Sequence, residues 1–314
     1  MTKPKTDLGI VGVLMGGCSS EREISFKSGR AVVEALKKME CSVKPIEIDV
    51  EDNQKNLAFL RAAHMDVAFV ALHGAFGEDG RIQSILEELK IPYTGSGVEA
   101  SHRAFNKAVS QTLFHQSGLP VPEFKILSLD TKDELLKGLG TPLVVKPACE
   151  GSSIGITIVD TMEDLPPAVN EAFKFGPEVL VEQFIVGREV TVGVLHDQAL
   201  PIVEIKTEKN FFDFQSKYQK GLTEYLVPAP LNADVTERIQ QLAVDAHRLL
   251  GCYGYSRVDF RLDKNNNPFI LEVNTIPGFT ETSLYPKAAR QAGVEFSELC
   301  VQLLELAYGK GKKI

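Results

Sequence analysis

Apolar residues along this chain follow two rhythms, short continuous runs and strict alternation, and the two predict different elements. Residues 8–15 form a continuous apolar run closed by Gly16-Gly17, the pattern of a buried strand and a turn. Ser20-x-x-Glu23 fits a capping box, so a helix is expected from near Ser20 to Met39. Strands are expected at residues 43–48 and 66–72, with a helical segment at 57–63 between them. Strand–helix alternation implies a parallel sheet covered on both faces, with ligands at the strand tips. Residues 16–21 are one such tip, and His73-Gly74-Ala75-Phe76-Gly77-Glu78-Asp79-Gly80 is another. At the second, His73 reads equally as a ligand contact or as a histidine satisfying loop backbone.

Ile91-Pro92-Tyr93-Thr94-Gly95-Ser96-Gly97 closes this first unit. A helix carrying Lys107 is expected over 101–116, ended by Gly118 and Pro120; a helical lysine by itself suggests a solvated face. Residues 143–147 read as a strand with Lys146 near its end, and 157–159 as another. Between them runs Glu150-Gly151-Ser152-Ser153-Ile154-Gly155. Such a loop can lay backbone N–H groups and hydroxyls over phosphate, or be a plain turn. It lacks the ending of a Walker loop and no helix follows it. Residues 179–185 form an apolar strand containing Glu182, and Glu189 lies seven residues on, beyond Gly187. Two acids around a hinge suit an adenine amine and a ribose, or are surface acids. Residues 208–227 are long, aromatic and lysine-bearing, which suggests a lid, or a surface loop packed by its own aromatics. Helices are expected over 235–250 and 288–306, with a basic tail at 309–314.

The alternating rhythm is clearest between Tyr255 and Leu284. Val258, Phe260 and Leu262 share one face, opposite Arg257, Asp259 and Arg261. Beyond a turn at 264–267, Phe269, Leu271 and Val273 share one face, and Ile270, Glu272 and Asn274 the other. This predicts a β-hairpin with Asp259 opposite Glu272 and Arg257 opposite Asn274. Facing like charges destabilise a strand pair, so two opposed carboxylates suggest a cation. Carboxylates with an amide oxygen suit Mg²⁺. The pattern alone leaves an ordinary solvated hairpin face equally open.

Composition narrows the class. The 314 residues suffice for two or three domains, and pattern changes near residues 100 and 188 divide the chain into 1–100, 101–188 and 189–314. With 34 basic against 42 acidic residues, the net charge of −8 gives no electrostatic reason to bind nucleic acid or a membrane surface. Five scattered cysteines without a C-x-x-C point to reduced thiols in the cytoplasm. Lys3, Lys5 and the apolar run before Cys18 faintly imitate a lipoprotein signal, but the run breaks at once into Glu21-Arg22-Glu23 and reads as a buried strand. No run reaches the length of a membrane span. G-x-G-x-x-G is absent, which disfavours an NAD-dependent dehydrogenase.

Seven motifs in order, GGCSSEREIS, ALHGAFGEDG, PYTGSG, VVKPACEGSSIG, the KY at 217–218, SRVDFRLD and LEVNTIPGFTETSL, resemble the D-alanine–D-alanine ligases of the ATP-grasp superfamily. The resemblance covers nearly the whole chain. It implies an α/β ATP-grasp fold of three α/β domains: an N-terminal Rossmann-like domain (1–100), a central subdomain (101–188) and a C-terminal subdomain (189–314) with a lid at 208–227. ATP would lie between the last two. Lys107 and Lys146 would meet its phosphates, with Glu150, Gly151, Ser152 and Ser153 closing over them. Glu182 would take the adenine amine, backbone groups of Gln183 and Ile185 its remaining edge, and Glu189 the ribose; Phe184 sits where an aromatic is usual. Asp259, Glu272 and Asn274 would hold two Mg²⁺, with Mn²⁺ able to substitute. Lys217 would reach the γ-phosphate.

The resemblance also implies the substrate residues. Glu21 would bind the ammonium of the first D-alanine and join a hydrogen-bonded trio with Ser152 and Tyr218. His73 would lie near that subsite. Arg257 and the Gly278 N–H would stabilise the oxyanion, and Ser283 and Leu284 would receive the second D-alanine. Tyr218, often phenylalanine in relatives that make D-alanine–D-lactate, favours the dipeptide product. A D-lactate or D-serine acceptor, and a non-catalytic nucleotide-binding protein, are the alternatives. Relatives are commonly homodimers; the sequence carries no interface signature.

Overall fold

The computed structural model describes residues 7–130, 140–151, 154–207 and 223–310. Its strands form three sheets. The first is parallel, in the order β2-β1-β3, from β1 (Ile10–Gly16), β2 (Ser42–Ile48) and β3 (Val67–Val70). Helices α1 (Arg22–Lys38) and α2 (Asn53–Ala62) are the crossovers that parallel pairing requires, and α3 (Arg81–Glu88) follows β3. Gly16 and Gly17 turn the chain out of β1 at φ +95° and +88°, angles that glycine reaches without strain.

The expected capping box does not start α1. Glu21 holds the cap position and its side chain makes no cap bond. Nearby, Ser19 Oγ donates instead to the His73 carbonyl at 2.7 Å. The polar residues before α1 are drawn into the loop cluster beside β3 rather than onto the helix.

The helix expected over 101–116 is two helices, α4 (Val98–Phe105) and α5 (Lys107–Gln116). Asn106 between them is extended, and its Oδ1 accepts from the N–H groups of Ala108 and Val109 at 2.9 and 3.2 Å. Asparagine competes for helix backbone in this way, so the apolar rhythm runs on while the helix restarts. The restart makes Lys107 the first residue of α5 and buries it. The solvated face is thereby corrected.

The second sheet is antiparallel, in the order β4-β7-β5-β6, from β4 (Phe124–Ser128), β5 (Leu143–Pro147), β6 (Thr157–Val159) and β7 (Glu178–Gln183). Helix α6 (Leu165–Ala172) covers one face through Leu165 and Val169, packed with Leu143, Val145 and Val181. Period two then turns Val144, Lys146 and Glu182 to the opposite face.

The third sheet runs β11-β10-β8-β12-β13, from β8 (Arg188–Leu195), β10 (Val203–Thr207), β11 (Thr223–Leu226), β12 (Tyr255–Leu262) and β13 (Pro268–Asn274); β9 (Gln198–Ala199) pairs beside β8. Part of the segment read as a lid is therefore strand: residues 223–226 pair with β10. Residues 208–222 lie outside the described residues. Helix α7 (Ala233–Leu249) packs Ile239 and Ala243 against Val190, Val258 and Phe260.

The helix expected over 288–306 is also two, α8 (Leu284–Gln291) and α9 (Phe296–Lys310), separated at Gly293, φ +86°. Leu299, Leu303 and Leu304 of α9 join Val11, Val13 and Phe69 in one core, so the end of the chain covers the first sheet. The Phe279 ring stands 5.4 Å from Phe69 and 5.5 Å from Phe296, fixing the loop after β13 to that core.

The hairpin register holds at Arg257 and Asp259 and is one residue off the expected pairing beside the turn. Asp259 pairs with Glu272 and Arg257 with Asn274, as the pattern predicts. A bulge then changes the pairing to Phe260 with Ile270 and Leu262 with Pro268. Ile270 is consequently buried with Phe260 in the core, while Leu271 faces away beside Glu272. The expected faces of Ile270 and Leu271 are thus exchanged. One surplus residue reverses the side-chain alternation beyond it.

Candidate active site

A cleft runs between the second and third sheets, with about 750 Å³ of empty space including its mouth. Val144, Ile156, Phe184, Ile185, Ile205 and Leu271 supply apolar walls. Lys107, Lys146, Glu182, Glu189, Arg257, Asp259 and Glu272 supply charge, and Leu284 reaches the same cleft. An apolar cleft with a few convergent polar groups is the usual form of a small-molecule site.

At one end Lys146 Nζ donates to Glu182 Oε1 at 2.7 Å, with the two side chains 5% and 3% exposed. The second oxygen, Glu182 Oε2, is buried with no hydrogen-bond partner. A buried acceptor left without a donor is costly, so a ligand N–H fits there. The Gln183 N–H donates to the Glu123 carbonyl at 2.8 Å, and the Ile185 carbonyl accepts from Arg261 Nε at 3.0 Å.

Arg261 is the residue whose role the sequence pattern left unread. It donates to the Gly187 carbonyl at 3.2 Å and to Glu189 Oε2 at 3.3 Å, and its guanidinium lies 4.9 Å from the centre of the Phe184 ring. One side chain from β12 therefore orients the crossing between β7 and β8 together with Glu189. Its place on the polar face of β12 was visible; its partners, which lie on another segment, were not.

At the other end Lys107 Nζ stands 3.2 Å from Glu272 Oε2 and donates to the Glu150 carbonyl at 2.6 Å. Burial pushes the Lys107 ammonium down, but the charge and hydrogen bond of Glu272, with smaller pulls from Cys149 and Glu78, together hold the group above its usual value. Asp259 is engaged on both oxygens. Arg257 donates to each, at 2.8 and 2.6 Å, Thr191 Oγ1 adds a bond of 2.5 Å to Oδ1, and Asn274 Nδ2 one of 3.1 Å to Oδ2. Thr191 was not foreseen; β8 brings it beside Asp259 by register. Two opposed carboxylates and an amide whose nitrogen is turned to Asp259 form a hard-donor set that fits Mg²⁺. Among the described residues no group of three or more His, Cys, Asp and Glu could hold a metal.

The tips of the first sheet form a second cluster. Glu21 is buried, and a Cβ at Gly151 would come within 2.5 Å of its Oε2, so the backbone at residue 151 passes against this carboxylate because that residue has no side chain. His73 Nδ1 lies 3.0 Å from the Ile276 carbonyl and Nε2 2.9 Å from Ser28 Oγ. A carbonyl can only accept, so the neutral ring carries its proton on Nδ1 and Nε2 accepts from Ser28. Ser28 Oγ in turn accepts from the Phe279 N–H at 3.2 Å. Glu78 lies 3.5 Å from His73 Nδ1, and burial pushes its carboxyl up. This chain ties His73 to the segment bearing Gly278. Ser283 Oγ meets Thr280 through its N–H at 3.1 Å and its hydroxyl at 2.9 Å, at the start of α8. Ser152, Ser153, Lys217 and Tyr218 lie outside the described residues.

Two sheets facing each other across a cleft, with lysines and carboxylates at its ends, define an ATP-grasp architecture. The D-ala D-ala ligase C-terminus model matches residues 113–305, and the D-ala D-ala ligase N-terminus model matches residues 10–58 and 51–96. A D-alanine–D-alanine ligase of Pelotomaculum thermopropionicum is 45% identical over 309 residues, covering 95% of this chain and 96% of that protein. The crystal structure of D-alanine–D-alanine ligase from Bacillus anthracis superposes with a TM-score of 0.87 at 35% identity, covering 97% of this chain and 99% of that one. Its complex with ATP superposes at 0.83 and 32% identity, with the same coverage. The VanG D-Ala:D-Ser ligase of Enterococcus faecalis gives 0.82 at 31% identity, covering 95% of this chain and 99% of that one. The chain belongs to the D-alanine–D-alanine ligase family.

Proposed function

We propose that this protein uses ATP to join two D-alanines into D-alanyl-D-alanine, a precursor of the bacterial cell wall, through an acyl phosphate. The observation that carries the reading is the approach of Lys107 to Glu272 at 3.2 Å, which directs a lysine of α5 and a carboxylate of β13 to one point of the cleft. The unpartnered Glu182 oxygen at the other end supports an adenine amine there. ATP then lies between the central (101–188) and C-terminal (189–314) subdomains, its ribose on Glu189 and its phosphates toward Lys107 and Lys146. Gln183 and Ile185 offer backbone groups to the base, with Phe184 beside it, and residues 150–153 close over the phosphates. Asp259, Glu272 and Asn274 hold two Mg²⁺ or Mn²⁺ ions, which would neutralise charge on the phosphates.

The chain's own groups account for the rest of the chemistry. Lys107 and Lys146, with Lys217, offset the charge that develops during phosphoryl transfer from ATP to the carboxylate of the first D-alanine. Glu21 holds the ammonium of that D-alanine and, with Ser152 and Tyr218, orders the loop above it; His73 lies beside the subsite. The amine of the second D-alanine attacks the acyl carbon, and phosphate leaves. Arg257 and the Gly278 N–H receive the oxyanion, and Ser283 and Leu284 seat the acceptor. Closure over the site protects the acyl phosphate from water.

The described residues contain no helix long and apolar enough to cross a membrane. We place the reaction in the cytoplasm, where ATP is available. Incubating the purified protein with ATP, Mg²⁺ and D-alanine should yield ADP and dipeptide in equal amounts, and L-alanine should yield neither. Release of ADP that ignores D-alanine would refute the assignment. Preference for D-lactate or D-serine in the same assay would move the protein to the related ligases.

A further inference from the structure

The bulge in the hairpin sits where α5 meets β13. Pairing passes from Asp259 with Glu272 to Phe260 with Ile270, leaving Leu271 as the surplus residue. A bulge disrupts the ladder locally, and buried carbonyls that lose a ladder partner must find another donor. The carbonyls of Ile270 and Leu271 both accept from one side-chain nitrogen, Gln111 Nε2, at 3.1 and 2.7 Å. Gln111 is fully buried, and its Oε1 is buried without a hydrogen-bond partner. Two carbonyls can be met only by the amide nitrogen, so the orientation is forced. A glutamine retained here with an unsatisfied oxygen is retained for its two N–H donors.

The same stretch of chain grips the bulge twice more. The Ile270 N–H donates to the Pro120 carbonyl, beyond the end of α5, at 2.9 Å. Lys107, four residues before Gln111 and so on the same helix face, pairs with Glu272. Without the surplus residue, strict alternation would turn either Leu271 or Glu272 into the core. With it, both line the cleft.

We propose that Gln111 is a positioning residue for the nucleotide cleft: it holds the bulge open and thereby delivers Leu271 to the cleft wall and Glu272 to its place opposite Asp259. The proposal rests on the ATP reading given above. Titration calorimetry of ATP into the protein, with and without Mg²⁺, tests it without turnover. Gln111→Met keeps the length of the side chain and removes both donors. It should weaken Mg²⁺-dependent ATP binding by about 10- to 100-fold, the usual effect of losing a group that orients a ligand.

Gln111→His keeps a donor and should recover part of that loss; Gln111→Leu, which also lacks donors, carries the comparison if the methionine variant does not fold. A role confined to stability would lower the melting temperature and leave ATP affinity untouched at temperatures well below it. Wild-type affinity in Gln111→Met, or in Gln111→Leu where only that donor-free variant folds, overturns the proposal. Wild-type protein that binds no ATP would instead overturn the nucleotide reading, and this proposal with it.

Discussion

Arg257 grips Asp259 through both carboxylate oxygens, at 2.8 Å from Nε and 2.6 Å from Nη2. The two side chains are 16% exposed each and sit two residues apart on one face of β12. A planar guanidinium held by a carboxylate in this way keeps its donor directions fixed, which suits a group proposed to receive an oxyanion. Arg257→Ala should lower kcat by about 10²–10³ while leaving ATP affinity nearly unchanged. Arg257→Lys, which keeps the charge but loses the fork, should recover little of it. Steady-state kinetics with a separate ATP titration check both. A defect confined to ATP affinity would assign Arg257 to the nucleotide instead.

Glu272 faces two duties, pairing Lys107 at 3.2 Å and standing opposite Asp259. Glu272→Gln is nearly isosteric, so its effect isolates charge. It should reduce turnover almost to background and raise the Mg²⁺ concentration needed for half-maximal ATP binding. Lys107 should also become easier to deprotonate, because burial pushes its pKa down and Glu272 is the largest influence opposing that. Turnover close to wild type would exclude the hairpin as the metal site.

The hairpin shows how far the sequence could be read. Alternation counted from a turn at 264–267 placed Asp259 opposite Glu272; the pairs beside the turn are one residue off that count, and the bulge restores it at Asp259. The bulge was not legible: it is held by Gln111 and the Pro120 carbonyl, more than a hundred residues away in sequence, and nothing in the alternation marks it. Asn106 is a different case. Its capping chemistry is local, but the apolar rhythm continues across it and hid the break. The burial of Lys107 follows from that break and from packing against β13, so periodicity alone pointed to solvent. Arg261 was placed on the correct face of β12, yet its partners at Ile185 and Gly187 depend on two sheets meeting.

Lys146 and Glu182 form a buried ion pair on adjacent strands of the second sheet. Such a pair contributes little over an apolar replacement of both members, but removing one member strands the other in the interior. Lys146→Met should therefore cost about 3–5 kcal/mol of stability in addition to any loss of phosphate contact. Denaturant unfolding of the nucleotide-free protein separates the two effects. Replacing both residues by apolar ones should restore stability without restoring ATP binding. Equal stability of the wild type and Lys146→Met would mean that Glu182 finds another partner or takes up a proton.

His247 supplies the last prediction, outside the cleft. The ring is buried in α7, with Nδ1 2.7 Å from Ser256 Oγ and Nε2 buried without a hydrogen-bond partner. Burial lowers its pKa to about 4, against the upward pull of Asp197, 3.7 Å from Nε2. Between the unfolded value near 6.5 and that folded value, the unfolded chain binds a proton that the folded chain refuses. The stability that the neutral ring allows is thus complete above about pH 6.5 and is lost as the pH falls toward 4, by roughly 3 kcal/mol at most. His247→Gln cannot titrate, so its denaturant midpoint should fall less than that of the wild type between pH 7 and pH 4.5. Ser256 precedes Arg257 on β12, so the wild type should also lose activity over that interval sooner than the variant does. Parallel decline of the two proteins would show that the acid sensitivity arises elsewhere.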